Sequence, residues 1–128
     1  MYSHVMLGSN DLDRSKKFYD ALFAATGGKE GRVDPKGRLV YVNNGGILLI
    51  TKPIDGEAAT HGNGSTIGFA VDGPEQAQAW EKAGVAAGGT AIEDPPGVRS
   101  GSGVNLYLAY LRDPDGNKLC ALHRLPNE

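Results

Sequence analysis

The feature of this sequence that most restricts its fold is a weak internal repeat at an offset of 62 positions. Ser3-His4-Val5-Met6-Leu7 and Ser65-Thr66-Ile67-Gly68-Phe69 open similar segments, and the same offset links Phe18 to Trp80, Ala21 to Ala83 and Gly27 to Gly89. Few identities survive. What repeats is an order of elements: apolar strand, turn, amphipathic helix, Gly-Gly stop, then further strands. Two similar modules follow, about 1–54 and 65–128, joined by the Gly/Ala/Thr/Asn stretch at 55–64. With 128 residues, 40% of them hydrophobic, the chain can bury roughly 65% of its unfolded surface, enough for one domain but not two large independent ones.

In the first module, Tyr2 to Leu7 is a β-rich run that sends His4 and Met6 to one face and Val5 and Leu7 to the other. Asn10 or Asp11 can cap the helix that follows, expected near residues 12–24. Its residues Phe18, Tyr19, Leu22 and Phe23 gather on one side. Gly27-Gly28 supplies the positive φ that ends it. Arg38 to Val42 and Ile47 to Lys52 read as strands around Asn43-Asn44-Gly45-Gly46.

The second module repeats the order: a strand at Thr66 to Val71, a helix near 74–88 opened by Gly73-Pro74, and a stop at Gly88-Gly89. Thr90 to Glu93 is a strand. Leu106 to Arg112 and Lys118 to His123 form a hairpin through Asp113-Pro114-Asp115-Gly116-Asn117. Pairing Arg112 with Lys118 sets Tyr110 opposite Cys120 and Leu108 opposite Leu122. Pro95 to Asn105, rich in Gly, Pro and Ser, reads as a long loop, either mobile or functional. Its glycines do not form a dinucleotide fingerprint, because no strand-to-helix junction surrounds them.

Charge excludes several partners. Thirteen basic residues against fifteen acidic ones leave a formal charge of −2, with no electrostatic footprint for nucleic acid or anionic lipid. A small molecule or a second copy of the chain is the expected partner. The single cysteine, Cys120, excludes an intrachain disulfide and fits a reducing compartment. Met1-Tyr2-Ser3-His4 has no secretory pattern, and no apolar run reaches the ~18 residues of a membrane helix. A cytoplasmic, soluble protein is expected.

His4-Val5-x-Leu7, followed by Asp11-Leu12-Asp13-Arg14-Ser15-x-x-Phe18-Tyr19, resembles the first strand and helix of the vicinal oxygen chelate superfamily. That group includes glyoxalase I, fosfomycin-resistance thiol transferases, extradiol dioxygenases and bleomycin-binding proteins. Arg112-Asp113-Pro114-Asp115-Gly116-Asn117-Lys118 resembles the superfamily's last hairpin. The resemblance covers nearly the whole chain and implies an α+β fold: two tandem βαβββ modules forming a curved, mainly antiparallel mixed sheet with a concave cleft. Such a scaffold hosts several chemistries and some pure binders.

In that family a divalent metal is held at four equivalent strand positions. Here the first falls on His4, which matches. Thr66 stands at the equivalent place in the second module, Leu49 near the carboxylate position of the first, and Cys120 at the glutamate position of the second. One usual ligand of four is retained. Sites for Mg, Mn, Ni or Fe need three or more firm donors, and a thiolate biases toward zinc or copper. Neither a bound metal nor another cofactor is therefore expected. His4 is read as a strand histidine hydrogen-bonded in a polar cleft. His61 in the linker and His123, opposite in direction to Cys120, are poorly placed to replace the missing ligands.

The remaining candidates for ligand binding are His4, Thr66, Arg99, Tyr110 and Cys120. Tyr110 can donate to a ligand oxygen or serve as a core tyrosine with a satisfied hydroxyl. Cys120 is read as a small hydrophobe rather than a nucleophile, since no adjacent base is identifiable. Arg99 could clamp an anionic group, although loop charges are usually solvated. Three functions fit: a metal-independent small-molecule binder, a metal-dependent lyase, isomerase, dioxygenase or thiol transferase, and a non-catalytic scaffold subunit. The missing ligands favour the first. Open sheet edges lead to an expected homodimer.

Overall fold

In the computed structural model, which describes residues 1–101 and 103–126, each module opens on a strand and a helix at the expected offset. Strand β1 (Val5–Gly8) and helix α1 (Leu12–Ala24) have counterparts in β5 (Ile67–Ala70) and α2 (Pro74–Ala86). Asp11, in extended conformation, caps α1 by accepting the Arg14 N–H at 3.1 Å. Pro74 occupies the first turn of α2, where its missing N–H costs nothing. Both Gly-Gly pairs close their helices in the same way. Gly27 and Gly88 take φ of 83° and 107°, while the N–H groups of Gly28 and Gly89 each donate at 2.8 Å to the carbonyls of Phe23 and Gly84.

The other strands are β2 (Arg32–Val33), β3 (Leu39–Asn43), β4 (Gly46–Thr51), β6 (Thr90–Ala91), β7 (Gly97–Gly101), β8 (Val104–Arg112) and β9 (Lys118–Arg124). They form two sheets, ordered β1-β4-β3-β2 and β5-β9-β8-β6, with β7 also pairing β8. Among the described residues only β1 with β4 and β5 with β9 run parallel. The expected loop at 95–105 is corrected here. Its Gly, Pro and Ser content signals a turn, yet Gly97 to Gly101 form an antiparallel ladder along β8, so hydrogen bonds to a neighbouring strand override local propensity. Strand β2, two residues long, had no periodic signal to reveal it.

One core joins the modules. Phe18, Tyr19 and Leu22 of α1, Ala77 and Trp80 of α2, and Leu39, Ile50, Leu111 and Leu119 of the sheets belong to one buried cluster. Burying each large apolar side chain contributes about 1.5–3 kcal/mol. The helices approach closely at Gly84, where an added Cβ would collide with Leu111 and come within 3.2 Å of Leu22 Cδ1.

The β8–β9 turn is tied to α1 by two carboxylates. Buried Asp113 accepts the Tyr19 hydroxyl at 2.6 Å, the Asn117 side-chain amide at 2.8 Å, and the backbone N–H groups of Asp115 and Asn117 at 2.9 Å. Asp115 accepts the Asn10 N–H and the Arg14 guanidinium, both at 2.9 Å. Asn117 reaches on to the Gly8 carbonyl at 3.2 Å. A local turn motif is thereby converted into a clasp between residues about a hundred positions apart. Replacing Tyr19 with phenylalanine leaves Asp113 one donor short. The expected loss is about 1.5–3 kcal/mol, read as a lower urea midpoint with an unchanged m-value; a shift equivalent to under about 0.5 kcal/mol would show the bond to be incidental.

Burial pushes the Tyr19 hydroxyl well above its ordinary value of 10.0, with the nearby Asp113 adding to the effect. Tyr41 is raised by burial and by its bond to Asp20 at 2.7 Å. Above the ordinary value of 10.0 the unfolded chain loses protons that the folded chain keeps, so this stability is complete below that pH and declines as pH rises past it. Urea midpoints should fall between about pH 8 and about pH 11, and by less in Tyr41→Phe. An equal fall in both proteins would remove Tyr41 from the account.

Candidate functional site

Strand register confirms the equivalence between the modules. Met6 pairs with Leu49 across β1 and β4, and Gly68 pairs with Cys120 across β5 and β9. His4 and Thr66 each stand two residues before those partners and one before their strands. The four positions named in the sequence are thus equivalent by ladder as well as by spacing. Among the described residues no group of three or more His, Cys, Asp or Glu side chains is arranged to hold a metal ion.

Tyr110 and Cys120 face each other across β8 and β9, as the hairpin register required, with Leu108 opposite Leu122 alongside. All four lie on the sheet face turned away from the helices, since Ala109, Leu111, Leu119 and Ala121 between them belong to the core. Cys120 and Leu108 nevertheless keep only 5% and 8% of their exposure, so this face is not flat. Burial pushes the Cys120 thiol up, opposed by the neighbouring Tyr110 hydroxyl. Burial also raises Tyr110, helped by Cys120. At neutral pH the pair is an uncharged hydroxyl and an uncharged thiol.

Two further groups frame Tyr110. The Lys118 ammonium sits 5.0 Å from its ring centroid, a cation–π contact, and pairs with the Glu93 carboxylate. Glu93 adopts φ 60°, a conformation L side chains rarely take. Lys118 was legible in the sequence, because alternation puts it on the Cys120 face two residues earlier. Glu93 was not, since its approach depends on the path between β6 and β7.

The remaining candidates divide: Arg99 stays beside the pair, its positive charge opposing the upward shift of both Tyr110 and Cys120, whereas His4 stands apart. Thr66 is exposed at the start of β5. Arg99 lies on β7 opposite Leu106, and its guanidinium donates to the Asp94 and Pro95 carbonyls at 3.0 and 3.1 Å. It fastens its own segment, a use the loop reading did not anticipate. His4 lies just before the first strand of the other sheet, exposed, with its ring Nδ1 bonded to Ser3 Oγ at 2.8 Å. No hydrogen bond among the described residues joins it to the other four. His123 sits opposite Tyr107 and contacts the Val71 carbonyl at 3.2 Å, away from Cys120. His61 lies against Gly116 of the β8–β9 turn.

A metal at the four family positions finds an exposed imidazole, a hydroxyl, an isobutyl group and a protonated thiol. That donor set does not fit a hard divalent cation.

Between the two sheets lies a cavity of about 250 Å3, which local sequence patterns do not reveal. It is walled by Phe23 and Tyr41 from the first module and by Phe69 and Trp80 from the second.

The model for the Glyoxalase/Bleomycin resistance protein/Dioxygenase superfamily matches residues 2–121. Among solved structures, a glyoxalase/bleomycin resistance protein from Albidiferax ferrireducens is 58% identical, with a TM-score of 0.93, over 97% of this chain and 99% of that one. A glyoxalase/bleomycin resistance protein/dioxygenase family enzyme from Burkholderia phytofirmans shares the fold at 18% identity and a TM-score of 0.70, over 96% and 98% of the two chains. The fosfomycin resistance protein FosX from Mesorhizobium loti does so at 15% and 0.65, over 95% and 90%. No curated protein matches the sequence. With the repeat, the paired modules and the family match in agreement, the chain belongs to the glyoxalase/bleomycin resistance protein/dioxygenase superfamily.

Proposed function

We propose that this protein binds a small organic molecule on the sheet face carrying Tyr110 and Cys120, without a metal ion. The observation that supports this most strongly is the chemistry at the four equivalent positions: His4, Leu49, Thr66 and Cys120 offer one good ligand where a divalent ion needs at least three. What the face offers instead is a hydroxyl donor, a thiol, the apolar Leu108 and Leu122, and the Lys118 ammonium beside the Tyr110 ring. Such a surface suits a neutral or mildly anionic molecule, held by apolar contact and oriented by one or two polar groups.

The protein acts as a homodimer in the cytoplasm in this reading. Met6, Val42 and Ile47 expose 42%, 60% and 39% of their surface on the corresponding face of the first sheet. Both β1 and β5 are edge strands. An exposed apolar face bordered by free edges is stabilised by a second copy laid over it. No helix among the described residues is long and apolar enough to cross a membrane.

Screening neutral and monoanionic metabolite fragments by chemical-shift mapping tests the binding claim. Ligands should move the amides around residues 66, 108–110 and 120–122, and Tyr110→Phe should weaken those using the hydroxyl by about 0.5–1.5 kcal/mol. Shifts confined to the His123 face would contradict it.

A further inference from the structure

We propose a second binding site, in the seam between the two sheets, for an uncharged aromatic molecule bearing one hydrogen-bonding group. The cavity of about 250 Å3 lies where the modules meet: β1 and β5 are edge strands of their sheets, residues of both line it, and no ladder among the described residues joins them. A hydrocarbon-lined cavity of roughly 150 Å3 accepts benzene, so this one has room for a substituted ring or two fused rings.

The walls specify the occupant. Phe23 stacks on Tyr41 with ring centroids 4.9 Å apart, meets Phe69 edge-on at 5.7 Å, and Phe69 tilts against Trp80 at 6.4 Å. These rings offer both faces and edges, the two surfaces on which another aromatic ring packs well. None of the lining residues is charged, so an ion entering would lose its hydration with no counter-charge to replace it. Tyr41 contributes its ring alone, because its hydroxyl is committed to Asp20 at 2.7 Å.

Polar recognition comes from the rim. Asn43 and Asn44 both line the cavity at the β3–β4 turn. Neither side-chain amide has a hydrogen-bond partner among the described residues, whereas the Asn10 and Asn117 amides are engaged. A free donor and acceptor beside an aromatic wall can orient a ligand hydroxyl or carbonyl. The seam shares no lining residue with the Tyr110 and Cys120 pair, so this site does not depend on the function proposed above.

Trp80 is the only tryptophan in the chain, which makes the intact protein its own reporter. Titration with p-nitrobenzyl alcohol, whose nitro ring quenches indole on contact, should give saturable, one-to-one quenching, with amide shifts at residues 43–44 and 67–70. The charged isostere p-nitrobenzoate should bind at least about tenfold more weakly. Thr26→Phe, which adds bulk to the lining, should weaken p-nitrobenzyl alcohol by about tenfold. Asn43→Ala, at a turn and outside the core, should abolish the preference for the alcohol over p-nitrotoluene, and it serves if Thr26→Phe fails to fold. Absence of saturable quenching, or equal binding of the benzoate, overturns the proposal. Shifts confined to residues 108–110 and 120–122 also overturn it, while leaving the other face's function standing. Protection of the 67–70 amides that grows with protein concentration and excludes the probe makes the seam a contact between copies, and likewise overturns it.

Discussion

The clasp between Asp113 and Tyr19 is the constraint on which the rest of the molecule depends. A carboxylate with 4% exposure is held by four donors, three of them from its own turn and one from a helix 94 positions away in sequence. Leaving such a group short of partners costs more than the bond itself contributes, because its desolvation is no longer offset. The turn therefore has a strong preference for one seat, at the start of α1. Asp115 reinforces that seat through Asn10, Arg14 and Ser15. Once the turn is seated, β8 and β9 are fixed relative to the first module, and with them the direction in which Tyr110 and Cys120 face.

The helices complete the arrangement from beneath. Gly84 allows α2 to approach Leu22 and Leu111, and Phe18, Tyr19 and Trp80 fill the space between the sheets and helices. With the modules joined through helices and clasp, the outer edges of β1 and β5 pair with no strand among the described residues. The unpaired edges and the aromatic seam are both consequences of where the contacts between modules fall. Free edges are a liability unless covered, which is why a second copy belongs in the functional reading.

Much of this was legible in the sequence because the signals were local and repeated. The Gly-Gly pairs required left-handed backbone at Gly27 and Gly88, and the Asp-Pro-Asp-Gly-Asn turn set the hairpin register that paired Tyr110 with Cys120. Features built from distant residues escaped. β7 has loop composition and exists because β8 offers it hydrogen bonds. The Arg99 guanidinium turned to its own segment, Glu93 came to Lys118 from between two strands, and His4 stood apart with Ser3. Alternation assigns a face to each side chain but cannot say how two sheets meet.

Family membership fixes the scaffold and leaves the chemistry to the site. The proposed function requires this scaffold to work without a metal at its four equivalent positions, and titration with Mn2+ followed by paramagnetic line broadening tests that requirement most directly. Absence of metal binding at the site predicts weak, non-saturating broadening near the exposed His4 and surface carboxylates, with the amides of Leu49 and Cys120 unaffected. Saturable one-to-one broadening that takes in His4, Leu49, Thr66 and Cys120 together would contradict it.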